Sequence, residues 1–207
     1  MRASRFTYAV FFVLMLAGCA TPASQYYSLL PSAQPGAQRA APAVDFAISL
    51  QPVVLPDQVN RPQIVLSEPG NTEVQVLNQS LWAAPLSEEI RNALAHQLTS
   101  RLGVLDIPLG QAPRSLPVWR IDFTVQRFES TYNQDVVIEA TWRLDLRNQS
   151  KKSVKICRAV ARVAVGPGMS ELVAGHQQAL NRFAAVIAAQ LRDQAPREEG
   201  VEVKGCT

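Results

Sequence analysis

The sequence predicts an α/β fold: a mixed β-sheet with two long helices packed on it, in a three-layer-like arrangement. Three observations predict it. Strand-like alternation of apolar and polar residues occurs both before and after one amphipathic helical stretch. A second, longer helical stretch follows the last clear strand. No internal repeat or heptad pattern competes with this reading, and elements in that order pack as a sheet covered by helices.

The elements follow in order. Tyr26-Tyr27-Ser28-Leu29-Leu30 is a short β-prone run. Residues 31–43 are rich in Pro, Ala and Gln and read as a loop. Residues 44–54 read as a strand with Phe46, Ile48 and Leu50 on one face, and Pro52 and Pro56 limit its pairing. A loop over 56–63 leads to a short strand at 64–66. Pro69-Gly70-Asn71 then signals a turn, and 73–77 reads as the returning strand of a hairpin. A helix is predicted over 85–102. Pro85 suits its first turn, Leu86, Ile90, Ala93, Leu94, Leu98 and Leu102 form one stripe, and Gly103 stops it. The three prolines in 106–117 mark a loop.

Three strands come next. Trp119, Ile121, Phe123 and Val125 alternate with polar residues up to Gln126. Val136, Ile138, Ala140, Trp142, Leu144 and Leu146 do so in a second strand. A third runs over 154–165. These are half-buried antiparallel patterns. A second helix spans about 170–192, with Leu172, His176, Ala179, Phe183, Ile187 and Leu191 in line, and Val201-Glu202-Val203 in the tail has the alternation of a short edge strand.

The first residues have a different character. Arg2 and Arg5 precede an apolar run over 8–16, which ends in Leu16-Ala17-Gly18-Cys19. The run is shorter than the roughly 20 apolar residues that span a bilayer. Basic start, short apolar core and small residues before a cysteine are the parts of a lipoprotein export signal. The expected organisation is therefore a signal peptide at 1–18, a lipidated tether at 19–25 and one α/β domain at 26–207. Cys19 would carry the acyl chains. Ala20 and Thr21 in place of an aspartate point to the periplasmic face of the outer membrane.

Removing Arg2 and Arg5 leaves 18 basic against 17 acidic residues, so the mature chain is nearly neutral. It has no basic stripe interleaved with aromatics, which argues against a nucleic-acid partner. With Cys19 assigned to lipid, Cys157 and Cys206 remain as an even pair in an oxidising compartment, where a disulfide is expected; two free thiols are the alternative.

No catalytic pattern is visible. His96 falls at the polar edge of the first helix and His176 on the apolar stripe of the second, without a metal-ligand spacing. There is no G-x-S-x-G elbow and no phosphate-cradling glycine loop. Glu88-Glu89 stand at a helix start, where they favour the helix dipole. No enzyme and no cofactor is expected; an envelope hydrolase would need a polar catalytic cluster.

Several segments together carry a resemblance. Cys19 is followed closely by Tyr26-Tyr27-Ser28-Leu29. A proline-bracketed stretch runs from Pro52-Val53-Val54-Leu55-Pro56-Asp57-Gln58 through Val59-Asn60-Arg61-Pro62-Gln63-Ile64-Val65. Trp82-Ala83-Ala84-Pro85-Leu86 then enters a helix. In order and spacing this resembles the ABC-type transport auxiliary lipoprotein family, in which an acid often stands where this chain has Ala84. The resemblance implies a non-enzymatic auxiliary or docking component of a transport system built on mammalian-cell-entry (MCE) domain proteins. Such systems carry lipids between the two membranes and maintain envelope integrity. The expected partners are the membrane, through the N-terminal lipid, and an MCE-domain protein. Leu55, Pro56, Asp57, Arg61 and Trp82 are the candidate contact residues, with core packing of Trp82 and strand punctuation by the prolines as the alternative. Oligomeric state is left open, a homo-oligomer included. A second function reading, a lipoprotein that itself binds a lipid or other apolar ligand, would require a large apolar cavity.

Overall fold

The structure is a computed structural model that describes residues 23–31, 45–68, 70–150, 153–195 and 198–207. The predicted signal segment, Cys19, residues 32–43 of the predicted loop and Val44 of the predicted strand lie outside the described residues. Eight strands and two long helices follow one another: β1 (Gln25–Tyr27), β2 (Ala47–Leu50), β3 (Gln63–Ser67), β4 (Val74–Trp82), α1 (Leu86–Leu102), β5 (Val118–Thr131), β6 (Asp135–Arg147), β7 (Val154–Ala164), α2 (Met169–Leu191) and β8 (Val201–Cys206). They form an α/β arrangement with two sheets where one was expected. A three-stranded sheet has the order β1-β4-β3, and a five-stranded sheet the order β2-β5-β6-β7-β8. Both contain parallel and antiparallel pairs.

The five-stranded sheet is a β5-β6-β7 meander with one strand added at each side. On β6, Val136, Ile138, Ala140, Trp142 and Leu144 are fully buried, as the alternation predicts. On β5 the alternation changes phase. Ile121, Phe123 and Val125 are buried, then Phe128 and Ser130, because a register shift falls between Val125 and Arg127. One extra residue moves every later side chain to the opposite face. The strand therefore continues past Gln126, where the sequence pattern stops, to Thr131. A turn at 132–134, with Asn133 at φ 56°, then starts β6. The outer face carries a mesh of ion pairs, Arg158–Glu139 at 2.7 Å, Arg162–Asp135 and Arg147–Asp145 at 2.7 Å among them.

β2 is buried at all four positions although it lies at the sheet edge. It pairs in parallel with β5, and its other edge is covered by chain leaving α1, with Ile48 N–H bonded to Leu105 O (3.0 Å) and Ile107 N–H to Ile48 O (2.9 Å). Asp106 accepts from Leu50 N–H (3.0 Å) and pairs with Arg91 of α1 at 2.8 Å, so the edge is pinned to the helix.

The helical stripe of α1 is buried as predicted, and Gly103 ends the helix in the left-handed conformation (φ 70°), its N–H bonded to Thr99 O. α2 seats Phe183 edge-on against Phe123 and Trp142, with ring centroids 5.5 and 5.8 Å apart. Gly175 is where α2 comes closest to the sheet: a Cβ there would collide with Val165 and press on Val136. Trp142 Nε1–H donates to Gln190 Oε1 at 2.8 Å, which satisfies both groups in the core. No helix among the described residues is long and apolar enough to cross a membrane.

Candidate functional site

Three sites bear on the expected chemistry: the seat of the chain that follows the predicted lipidated tether, the proline-bracketed loop with its cleft, and the cysteine pair.

The seat begins with β1, whose three residues pair in parallel with the end of β4 in the register Gln25↔Ser80, Tyr26↔Leu81, Tyr27↔Trp82. The next residues are locked between the helices. Ser28 Oγ–H and Leu29 N–H both donate to Glu89 Oε2, at 2.8 and 2.7 Å. Gln177 Nε2 of α2 donates to the carbonyls of Ser28 (3.0 Å) and Leu30 (3.2 Å). Leu29 is fully buried, and Glu89 is only 4% exposed. A buried carboxylate must be hydrogen-bonded to be tolerated, and here it binds residues some 60 positions away in sequence. Sequence reasoning assigned Glu89 to the helix dipole alone. Its spacing of three from Leu86 and four from Ala93, both on the buried side, was the available signal that it faces inward.

The predicted contact residues divide. Leu55 and Pro56 are half-buried, and Asp57 and Arg61 are exposed. The loop is tightened by Val59 N–H to Pro56 O (3.1 Å) and fastened by the buried Val59 side chain. Trp82 does not present its ring to a partner. It is 4% exposed and packs edge-on against Phe128 (6.1 Å) and His176 (6.4 Å), while its backbone N–H donates to Pro62 O at 2.8 Å. The packing alternative holds for this residue, because the tryptophan ends β4 on the face shared with Tyr27 and turned to the core.

Beneath Trp82, His176 stacks on Phe128 with a centroid distance of 4.0 Å and an angle of 5°, and its Nε2 is 2.8 Å from Ser130 Oγ. Complete burial pushes the imidazole down to about 3, so it is neutral at ordinary pH. Its Nδ1 has no partner among the described residues. A serine and a histidine in contact, sealed from solvent and without a carboxylate orienting the ring, form a packing pair rather than a nucleophile and its base. Among the described residues no group of three or more His, Cys, Asp or Glu could hold a metal ion.

A cleft of about 480 Å³ opens between this loop, the β3–β4 hairpin and the β5–β6 end of the larger sheet. Pro56 and Val59 line one wall; Glu68 and Glu73 stand on the hairpin side, and the paired Arg127–Glu129 (2.6 Å) and Arg162–Asp135 on the other. Its polar, already paired walls suit contact with a polar surface and lack the apolar enclosure that a lipid-carrying pocket needs.

Cys157 and Cys206 are joined by a disulfide that bridges a sequence separation of 49, with Cα atoms 4.1 Å apart. They are register partners in the β7–β8 ladder, so β8 is held to β7 by backbone pairing and by a covalent link. Gln190 Nε2 donates toward Cys157 Sγ at 3.1 Å.

This fold occurs in solved structures. A crystal structure of an uncharacterized protein superposes with a TM-score of 0.58 at 22% identity, covering 82% of this chain and 99% of its own. One from Xanthomonas campestris gives 0.57 at 17%, covering 81% and 94%. These define the class, an α/β domain of two sheets and two helices. The chain belongs to the family of ABC-type transport auxiliary lipoprotein components, whose model matches residues 27–188. That is a family of transport auxiliaries and not one of enzymes. Intermembrane transport lipoprotein PqiC of Escherichia coli (strain K12), and its counterpart in Shigella flexneri, are each 30% identical to it over 140 residues, 66% of this chain and 72% of the relative.

Proposed function

We propose that this chain is exported, cleaved before Cys19 and lipidated there, and that it serves as a non-enzymatic docking component of an MCE-type intermembrane lipid-transport system on the periplasmic face of the outer membrane. In this reading residues 1–18 are the signal, the tether follows, and the domain acts at the membrane surface. The observation that carries it is the family match over 27–188, standing a few residues after Leu16-Ala17-Gly18-Cys19. The relatives' name, intermembrane transport lipoprotein, supports the same role.

The physical logic is confinement. Each buried methylene contributes about 0.8 kcal/mol to membrane binding, so several acyl chains hold the domain irreversibly where a single one does not. A tethered domain meets a partner that reaches the same membrane at a high effective concentration. The exposed Asp57 and Arg61, on a loop fastened by Val59, are the contact residues this reading favours; loops positioned by a rigid scaffold commonly carry such contacts.

The test is capture of the intact lipoprotein from membranes after mild crosslinking, with intact-mass analysis of the same sample. An acylated chain starting at Cys19 that brings down an MCE-domain protein is the expected result. An acylated chain that reproducibly captures none overturns the docking role, and a mature chain starting elsewhere without lipid overturns the anchor.

A further inference from the structure

The two sheets differ in their chemistry. The five-stranded sheet carries arginines and carboxylates over its outer face. The three-stranded sheet has no charged residue in any strand: β1 is QYY, β3 is QIVLS and β4 is VQVLNQSLW. Its partners Tyr26, Leu81 and Gln63 lie in one row across the three strands, on the face opposite Tyr27 and Trp82. Tyr26 is 67% exposed, and Leu30, just beyond the buried Leu29, is 43% exposed. An exposed tyrosine in a row with leucine and glutamine, without charge, suits a bilayer interface, where a ring has one end apolar and the other wet.

The chain length outside the described residues says what meets this face. Residues from Gln25 to Leu30 are fixed to the domain by β1 pairing and by Glu89 and Gln177. Only residues 20–24 separate that seat from Cys19. A fully extended chain from Cys19 to Tyr26 reaches at most roughly 25 Å. A domain of this size is roughly 40 Å across. The tether is therefore too short to let the opposite pole turn to the membrane, and Tyr26 is held within reach of the headgroups.

We propose that the charge-free face around Tyr26 is the surface on which the domain rests in the interfacial layer of the bilayer that holds its lipid. The proposal rests on acylation of Cys19. The start of α1 lies beside this seat through Glu89, and 17 residues of helix put its far end about 25 Å away.

A single-label experiment tests it. In the mature lipoprotein Cys19 is thioether-linked and Cys157 and Cys206 are bridged, so a cysteine placed at Tyr26→Cys takes a polarity-sensitive maleimide dye alone. Leu105→Cys, 72% exposed and beyond the far end of α1, is the reference. Full-length protein is reconstituted in phosphatidylethanolamine–phosphatidylglycerol vesicles, with some lipids carrying a nitroxide near the headgroup. The dye at position 26 is expected to emit to the blue of that at 105, to be quenched by nitroxide lipid, and to lose at least threefold in accessibility to iodide. Equal iodide accessibility at both positions, in protein whose mass shows acylated Cys19, overturns the proposal and leaves the anchor standing. A dye at 26 shielded from iodide and from nitroxide alike means that protein covers this face, and also overturns it. A mass without acyl chains on Cys19 overturns the anchor and the proposal with it.

Discussion

Leu29 and Glu89 are joined by a 2.7 Å hydrogen bond from a backbone N–H to a buried carboxylate, and that bond holds the chain directly after β1 to the first turn of α1. The same carboxylate oxygen accepts from Ser28 Oγ at 2.8 Å. A segment of only three β-paired residues would fray on its own; Glu89 and Gln177 hold the residues that follow it, Ser28 to Leu30, to the two helices.

Glu89→Ala is therefore expected to destabilise the domain by about 3 kcal/mol, since it strands the Leu29 N–H and removes charge-assisted hydrogen bonds worth roughly 1.5–3 kcal/mol each in mutational series. Urea unfolding measures the loss. Hydrogen exchange separates its origin: the amides of residues 27–30 should exchange far faster in the variant while those of β6 follow global stability alone. Unchanged protection at Leu29 would show that another group holds the seat.

His176 makes stability depend on mild acid. Its folded value lies near 3 because burial disfavours the cation, below the ordinary 6.5 of the unfolded chain. Between those values the unfolded state binds a proton that the folded state refuses. The contribution is present in full above about pH 6.5 and is lost as pH falls toward 3, by up to about 1.4 kcal/mol per pH unit. Unfolding free energies from urea titrations at pH 6.5 and 5, above the carboxylate range, should differ by roughly 1.5 kcal/mol more in the natural protein than in His176→Gln. Parallel pH profiles of the two proteins would mean that the histidine is solvated.

The Cys157–Cys206 bridge closes a loop of 49 residues. In the chain-entropy account a loop of that length stabilises by about 4 kcal/mol. Cys206→Ser should lower the thermal midpoint, and the C-terminal strand, held then only by its ladder with β7, should become sensitive to protease while the proposed acylation at Cys19 is unaffected. Peptide mapping of exported protein without reductant checks the bridge itself; two freely alkylated thiols there would remove the basis for the prediction.

Much of this molecule is decided locally and is legible in the sequence. The stripe from Leu86 to Leu102 and the glycine after it define α1, and strict alternation defines β6 as Asp135–Arg147, because helix and strand periods are properties of neighbouring residues. The family motif around Pro52 and Trp82 is likewise a matter of order and spacing. What only the tertiary structure decided depends on residues far apart in the chain. The bulge at Gln126 hides half of β5, since a strand that changes phase looks like a strand that stops. β4 runs on to Trp82, beyond the predicted end at residue 77, since part of its support comes from β1, about 55 residues earlier. The split into two sheets, the burial of Trp82 against Phe128 and His176, and the turning of Glu89 from a helix-dipole residue into the clamp on Leu29 all follow from packing. A side chain's type and period say which face it occupies; only the assembled core says whether that face meets water, a ring or a distant backbone amide.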